Sequence, residues 1–223
     1  MTDRARPSQS GIMEALHGLN VFTGYSPVLP EDISGWNSQH QWFDAVIAEI
    51  QPNVVIDVGV WKGGSTIYLA ELLRKNGVSG TVISVDTFLG SLEHWNRESD
   101  LHNMIRRRNG MPLLYDQFLS NVVRRGMTGY VVPLPQTSVT AALLLRRLGI
   151  RAGLIHIDAS HEYDDVLKDS RVYWDLLEPG GYLIGDDYHP YWPEVIRAAD
   201  DFAAEKGVSL SALDPKWLVR KPL

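Results

Sequence analysis

The sequence predicts a doubly wound α/β fold, in which helices cover both faces of a mostly parallel sheet. Short runs rich in Val and Ile alternate with amphipathic segments of helical period, and five such strand-helix units follow one another after residue 53. Each of these strand runs is mostly apolar, as expected for strands that are buried on both faces. The segments VSLSAL and KWLVRKP, joined by an Asp-Pro turn, add a C-terminal antiparallel hairpin.

The strands and helices are predicted in order from the residue pattern. Continuous apolar runs mark the strands and 3.6-residue periods mark the helices, while Gly77 and Pro193 stand where a helix ends and where one begins. The predicted strands are VVIDVG, TVISVD, GYVVPL, GLIHID and YLIGDD. The helices between and after them are STIYLAELLRKNG, SVTAALLLRRLG, residues 161–177 and a last helix that starts at Pro193.

The chain divides into an arm and one domain. Residues 1–37 are rich in Pro, Gly and polar residues, and we interpret them as a mobile arm or lid, with a structureless tail as the alternative. Residues 38–223 form the domain, whose first helix is predicted at the capping-box spacing of Ser38 and Gln41. Residues 87–128 interrupt the strand-helix order and are interpreted as an insertion above the sheet. Two helices are predicted there, around residues 101–108 and 113–125.

The composition suits one sizeable globular domain. The chain has 223 residues, of which 44% are hydrophobic, so a full core is possible. A net charge of −6 argues against a nucleic-acid partner, which needs a broad basic surface. Because cysteine is absent, any bound metal must use oxygen or imidazole ligands. No apolar run has the length of a membrane span or the setting of a signal peptide, so we expect a cytoplasmic protein with no membrane association.

Aspartates stand at the ends of four predicted strands. In a doubly wound sheet, ligands bind at the carboxyl ends of the strands, near the point where the strand order reverses. A single Asp after a strand is usually a turn former or a helix cap, but five at one edge favour a ligand site. These residues are Asp57, Asp86, Asp158, Asp186 and Asp187.

The first strand-helix turn, DVGVWKGGST, has the features of a ligand-binding loop. Gly59 allows a sharp turn, and Gly63 and Gly64 allow an anionic ligand to approach the next helix, although such glycines also serve close packing. The spacing Gly-x-x-x-Gly-Gly differs from the dinucleotide and Walker motifs, which disfavours a nicotinamide oxidoreductase or a nucleotide triphosphatase. Asp86 ends the second strand, where an acidic side chain accepts both hydroxyls of a ribose. An adenosine-bearing ligand fits both features.

Together these motifs resemble those of class I S-adenosylmethionine-dependent methyltransferases, which implies a Rossmann-like fold over residues 38–223. DVGVWKGG is similar to the first family motif, SVDTF to the second, and PLPQTSVTA, near the adenine, to the third. VDTFLGSLEHW, IHIDASHEY and GGYLIGDDYH resemble the methyltransferase-24 group, which includes relatives of sugar O-methyltransferases and cephalosporin hydroxylase-like proteins. The resemblance implies cofactor contacts from Asp57, Gly59, Gly63, Gly64, Ser65, Asp86, Thr87, Thr137, Ser138 and Asp158.

A metal and a base are implied by similarity to catechol-type O-methyltransferases, where strand-end carboxylates hold magnesium and a lysine nearby is the base. The matching residues here are Asp158, Asp186 and Asp187 for the metal and His161 for the base. Independently, three clustered carboxylates repel one another, and Mg²⁺ would relieve this while keeping positions open for substrate hydroxyls. His161 can accept a proton at neutral pH. The alternatives are turn-forming aspartates without metal and a helix-capping histidine, while His156 is predicted to be a hydrogen-bonded core residue.

The expected function is therefore a magnesium- and S-adenosylmethionine-dependent O-methyltransferase that acts on a hydroxylated small molecule, with a sugar or glycosylated natural product favoured. His161 and Asp158 are the expected catalytic residues. The alternative is a hydroxylase-like or accessory protein that binds cofactor or metal without methyl transfer. We expect a homo-oligomer. Candidates for a lid, or equally for core packing, are Tyr25, Trp36, His94, Trp95 and Asn96.

Overall fold

The computed structural model describes residues 8–223, in which helices and strands alternate along most of the chain. The helices are α1 Gln9–His17, α2 Gln41–Ile50, α3 Gly64–Lys75, α4 Leu92–Trp95, α5 Leu114–Arg124, α6 Ser138–Arg147, α7 Tyr163–Trp174 and α8 Pro193–Lys206, with a 3-10 helix at Asp100–Met104. The strands are β1 Val54–Val58, β2 Thr81–Asp86, β3 Arg107–Arg108, β4 Met111–Pro112, β5 Val131–Pro135, β6 Ala152–Ile157, β7 Leu177–Gly185, β8 Leu210–Leu213 and β9 Lys216–Arg220.

Seven strands form the central sheet in the order β5-β2-β1-β6-β7-β9-β8. The first five of these run parallel, whereas β9 pairs antiparallel with both β7 and β8. The strand order reverses between β1 and β6, which makes their carboxyl ends the switch point where ligands bind in such sheets. The predicted doubly wound α/β fold with a C-terminal antiparallel hairpin is confirmed.

Burial explains why the strands could be recognised. Every residue of β1 and β6 is buried, because these two strands lie at the centre of the sheet between layers of helices. The largest fully buried side chains include Trp217, Tyr173, Phe43 and Phe118, which join the sheet to the helices. Within residues 8–223, no helix is long and apolar enough to cross a bilayer.

The start of α2 differs from its prediction. His40, not Ser38, precedes the helix, and its Nδ1 accepts a hydrogen bond from the backbone N–H of Trp42 at 3.3 Å. Ser38 instead lies against Gly64, where an added Cβ would come within 3.0 Å of the Ser38 Cβ. The capping-box prediction was therefore wrong, while the apolar face of the helix was right. Its fully buried members are Phe43, Val46 and Ile47.

The insertion contains one of its two predicted helices. α5 lies close to its predicted bounds, but residues 101–108 form a 3-10 helix followed by the small β3-β4 hairpin. Asn109 and Gly110 at the hairpin turn have φ angles of 51° and 82°, the left-handed conformation that an Asn-Gly turn requires. The prediction of the first helix was wrong, because the Asn-Gly turn closes a hairpin there in place of a helix.

The described part of the arm packs on the domain. α1 contacts the edge strand β5, and its Ile12 and Met13 are fully buried. Ser8 caps its start by accepting a hydrogen bond from Gly11, and Gly18 ends it in a left-handed conformation. This helix was not predicted, and a structureless tail is wrong for residues 8–37. The predicted mobile arm also includes residues 1–7, which lie outside the described residues.

Candidate functional site

The carboxyl ends of β6 and β7 bring three possible metal ligands together. Among residues 8–223, one atom each from His156, Asp158 and Asp186 forms a group in which all lie within 4.8 Å of one another. The parallel register places Ile157 of β6 beside Gly185 of β7, so the residues that follow both strands share one edge. Asp187 was predicted as the third ligand, but His156 takes its place in this group. The difference arises because Asp187 turns toward His161.

A buried polar chain runs beneath this edge. His156 Nδ1 lies 2.8 Å from Asp57 Oδ1, and His156 Nε2 lies 3.2 Å from Lys216 Nζ. Lys216 Nζ also donates to Asp186 Oδ2 at 2.5 Å. Because an ammonium group only donates, Nε2 must accept, and the ring proton on Nδ1 is donated to Asp57. All four residues are buried, which confirms His156 as a hydrogen-bonded core residue.

Lys216 is the site residue that sequence reasoning missed. It opens β9 directly after the Asp-Pro turn, a place where a lysine usually faces solvent, yet its exposed fraction is 0%. Its Nζ lies 5.1 Å from the centre of the Phe43 ring, which closes the pocket around it. Alternation gives no signal, since Lys216 and the next residue, Trp217, are both buried. The one available signal was charge balance: clustered carboxylates require a cation.

Asp158 lies at the centre of the acidic group. Burial, followed by the neighbouring carboxylate of Asp186, raises the pKa of Asp158 well above its usual value, and Lys216 partly offsets this. Lys216 Nζ already contacts one atom of Asp186 and one of His156, so two of the three possible ligands are bound to an ammonium group. The other candidate atoms are also occupied, since His156 Nδ1 is bonded to Asp57 and Asp186 Oδ1 accepts from the backbone N–H of Asp187 at 2.8 Å. The residues as arranged therefore do not fit a divalent ion, which would have to displace the ammonium group.

Asp57 and Ser65, two predicted cofactor contacts, form a buried hydrogen bond with each other. Asp57 Oδ2 accepts from Ser65 Oγ at 2.8 Å and from Thr66 Oγ1 at 2.6 Å, at the start of α3. His156 donates a hydrogen bond to Oδ1, so the carboxylate of Asp57 accepts three hydrogen bonds in all. It therefore ties the end of β1 to α3, and its contact with a cofactor stays a prediction.

The loop glycines serve close packing in this structure. Gly59 has φ 82°, and a Cβ there would lie 1.8 Å from the carbonyl oxygen of Asp158. Gly63 has φ 92°, and a Cβ would lie 2.9 Å from the Phe118 ring, while Gly64 packs on Ser38 as described above. Only glycine at position 59 lets the loop after β1 press against the end of β6. The two halves of the predicted site are therefore in direct contact.

Asp86 is held in place at the end of β2. Its carboxylate accepts hydrogen bonds from the backbone N–H groups of Trp61 at 2.9 Å and of Phe88 at 2.7 Å. Burial raises the pKa of Asp86, and these two N–H groups partly offset the rise. Thr87 is exposed, and its Oγ1 accepts from the backbone N–H of Leu89. Asp86 thus borders the glycine loop, as a ribose ligand must.

The third motif supplies a helix cap and a helix-helix link. Thr137 caps α6, its Oγ1 accepting from the backbone N–H of Thr140 at 3.3 Å. Ser138 Oγ donates to Asp169 Oδ1 of α7 at 2.7 Å. Burial raises the pKa of Asp169 to about 6. The predicted adenine contacts of Thr137 and Ser138 stay predictions.

His161 and Asp187 form a pair at the edge of the sheet. The Nε2 atom of His161 lies 3.0 Å from Asp187 Oδ2, and the His161 ring stacks on Trp192 with centroids 3.8 Å apart at 10°. The His161 side chain is 42% exposed, so the pair is open to a ligand. A carboxylate that fixes one ring nitrogen of a histidine is the arrangement of a positioned base.

Two of the predicted lid residues, Trp36 and His94, each lie near Trp61 of the glycine loop. The Trp61 ring lies 4.5 Å from the His94 ring and 6.3 Å from the Trp36 ring. Trp95 is 48% exposed and donates through Nε1 to the carbonyl of Leu89. The other two candidates lie elsewhere: Tyr25 donates to the Asp116 carbonyl on α5, and Asn96 ends α4.

The arm is joined to the glycine loop by a charged clamp, the ion pair of Asp32 and Lys62. Asp32 Oδ2 lies 2.7 Å from Lys62 Nζ, and both residues are also joined through Asn121. The Asn121 side-chain amide donates to the carbonyls of Asp32 and Lys62 at 2.7 Å each. Burial alone would raise the pKa of Asp32, but hydrogen bonds from Lys62 and Ser34 together outweigh it, so the pKa is lowered. The segment before the domain thereby braces the loop that ends at α3.

Comparisons with known proteins agree with this arrangement. Residues 56–188 match a family model described as a methyltransferase domain. A rhamnosyl O-methyltransferase of Mycobacterium tuberculosis (strain ATCC 25618 / H37Rv) is 23% identical over 182 residues, which cover 76% of this chain and 64% of that protein. The 8-demethyl-8-(2,3-dimethoxy-alpha-L-rhamnosyl)-tetracenomycin-C 4'-O-methyltransferase of Streptomyces olivaceus is 28% identical over 153 residues, 65% of this chain and 56% of that protein. The chain thus spans less than two thirds of the length of either relative.

The fold is shared with a solved structure. The O-methyltransferase from Bacillus cereus, crystallised in complex with SAH, is 19% identical, with a TM-score of 0.59 and coverage of 98% of this chain and 94% of that one. The family model matches more than half of this chain, and the fold of the chain is that of the solved structure. The chain therefore belongs to the methyltransferase family of this model, the methyltransferase-24 group.

Proposed function

We propose that this protein is an S-adenosylmethionine-dependent O-methyltransferase that methylates a hydroxyl group of a sugar or a glycosylated natural product. The observation that carries the proposal is the His161–Asp187 pair, a positioned base on the sheet edge that also holds Asp86. Membership of a methyltransferase family supports the reaction, and the names of two relatives, both of which mention rhamnosyl groups, support the acceptor class.

Cofactor binding is assigned to the loop after β1 and the end of β2. S-adenosylmethionine supplies a methyl group on a positively charged sulfur, so the protein has to bind, orient and deprotonate. The residues present fit this cofactor, since Asp86 is oriented by two backbone N–H groups beside the loop. Gly59 keeps that loop against Asp158, so the cofactor side and the acceptor side of the site are adjacent.

Proton removal is assigned to His161. With its Nε2–H donated to Asp187, the ring can take on Nδ1 the proton of the acceptor hydroxyl. The deprotonated oxygen would receive the methyl group that bound S-adenosylmethionine would supply, with S-adenosylhomocysteine as the leaving group. Asp187 stabilises the imidazolium that results, and stacking on Trp192 fixes the plane of the ring. Asp158 stays a proposed catalytic residue at the junction of the two sides.

The proposed mechanism contains no step through magnesium, because Lys216 contacts two of the three atoms such an ion would need. The acidic group does not support the alternative of a hydroxylase-like protein. It has one histidine and two carboxylates, whereas the non-heme iron site of a hydroxylase has two histidines and one carboxylate. Homo-oligomeric assembly and a cytoplasmic location stay expectations from the sequence.

Calorimetry and a methyl-transfer assay test the proposal. We expect S-adenosylhomocysteine to bind the wild type and to bind Asp86→Ala at least about tenfold more weakly, since a charge-assisted ribose contact is lost. His161→Ala should keep the wild-type affinity and lose about 10²- to 10⁴-fold in methyl transfer to a panel of rhamnosides. Unchanged affinity serves as the control for folding. Full transfer by His161→Ala would refute the assignment of the base.

A further inference from the structure

We infer that Lys216 is a built-in cation that takes the place of a divalent ion in the acidic group, so that His156, Asp158 and Asp186 bind no metal in the native protein. The inference concerns metal binding and is independent of the proposed methyl transfer. It makes Lys216 a positioning residue, which holds Asp186 and His156 in fixed orientations at the edge of the site.

The position of the ammonium group is the first argument. Lys216 Nζ lies 2.5 Å from Asp186 Oδ2 and 3.2 Å from His156 Nε2. A divalent ion bound by the same atoms would lie about 2.0–2.6 Å from them, which places it in the space of the ammonium group. The two cations therefore exclude each other at this place.

Charge is the second argument. Asp57 is already satisfied by three hydrogen-bond donors, so the carboxylates that need a counter-charge are Asp158 and Asp186. Lys216 provides one positive charge between them, directly bonded to Asp186. An additional divalent ion would be held next to this ammonium group in a buried, weakly screened place, where like charges repel strongly.

The third argument is that Lys216 is locked in position. In the antiparallel register of β7 and β9, Gly185 stands beside Trp217. A Cβ at position 185 would lie 2.1 Å from the Trp217 indole, so glycine lets this ring lie flat against β7. Trp217 is 1% exposed and lies on the opposite face of β9 from Lys216, so it fixes the strand that carries the lysine. Lys216 is itself 0% exposed, and its Nζ lies 5.1 Å from the centre of the Phe43 ring. The lysine is therefore buried on a strand that is anchored from its other face.

The test is a Mn²⁺ titration followed by electron paramagnetic resonance on the full chain. Wild type and Asp158→Asn should give the same weak binding, which reports only surface carboxylates. Lys216→Met, which keeps an unbranched side chain and removes the ammonium group, should bind one Mn²⁺ on the order of 100-fold or more tightly than the wild type. Adding Asp158→Asn to Lys216→Met should remove this gain.

Two results would overturn the inference. One is tight Mn²⁺ binding by the wild type that Asp158→Asn abolishes; this comparison needs no variant at position 216 and decides the question even if Lys216→Met does not fold. The other is a folded Lys216→Met protein, checked by circular dichroism, whose Mn²⁺ affinity equals that of the wild type. Neither result depends on S-adenosylmethionine or on an acceptor, so failure of the proposed function would be seen separately.

Discussion

Removal of the Lys216 charge should strongly destabilise the fold. In Lys216→Met, the carboxylate of Asp186, whose side chain is 2% exposed, loses its ion pair and remains buried beside Asp158. Breaking a buried pair by removing one partner costs about 3–5 kcal/mol. An unfolding entropy of about 2.1 cal/mol/K per residue gives about 0.5 kcal/mol/K for this chain of 223 residues. We therefore expect the melting temperature to fall by about 6–11 °C.

A double-mutant cycle separates this pair from general damage to the core. Free energies of unfolding would be measured by urea denaturation for wild type, Lys216→Met, Asp186→Asn and the double variant, with EDTA present so that no metal replaces the lysine. The double variant should be more stable than Lys216→Met, because it no longer buries an unpaired charge. A loss below about 1 kcal/mol for Lys216→Met, or strictly additive effects, would refute the reasoning.

Two further predictions concern stability. Gly59→Ala should lower the free energy of unfolding by more than about 2 kcal/mol, because its Cβ meets the Asp158 carbonyl. The control Gly77→Ala has a similar φ of 67° but open space around the Cβ, so it should lower this free energy by only about 1 kcal/mol. Both values would be measured by urea denaturation, and equal losses would contradict the reasoning. Burial raises the pKa of Asp169 from 3.8 to about 6, so its protonated form adds stability below pH 3.8 that is lost as the pH rises through about 6. Asp169→Asn keeps the acceptor for Ser138 and should gain about 3 kcal/mol over the wild type at pH 8 but little at pH 3.5. The same gain at both pH values would show that titration of Asp169 is not the cause.

The sheet could be predicted from the sequence because its central strands are buried on both faces. β1 and β6 are therefore apolar apart from Asp57 and His156, and the near-continuous apolar pattern identifies them. The short elements were harder. α1 has only two fully buried residues, Ile12 and Met13, and its place on β5 depends on a contact with a strand more than a hundred residues later. Tertiary contact, not local pattern, determines such a helix.

The candidate site was only partly predictable. The aspartates could be assigned to one edge because the carboxyl ends of parallel strands coincide, and a histidine three residues after Asp158 falls close to that edge. Lys216 is 30 residues from Asp186 in sequence, and its burial depends on the register of β9 beside β7. Register between distant strands cannot be read from composition or period. The charge argument required a cation but could not say whether it was a metal or a side chain.

The clamp and the lysine have a consequence for how relatives are compared. The family model ends at residue 188, and it begins at residue 56, yet Asp32 and Lys216 lie outside these limits. A fragment cut at the matched boundaries would keep the motifs from Asp57 to Asp187 but lose the ion pair that holds the glycine loop and the counter-charge of Asp186. If Lys216 acts as we infer, an apolar residue at its position would open the acidic group of this protein to a metal ion. Metal binding would then be decided by one residue of the last hairpin, with the motifs themselves unchanged.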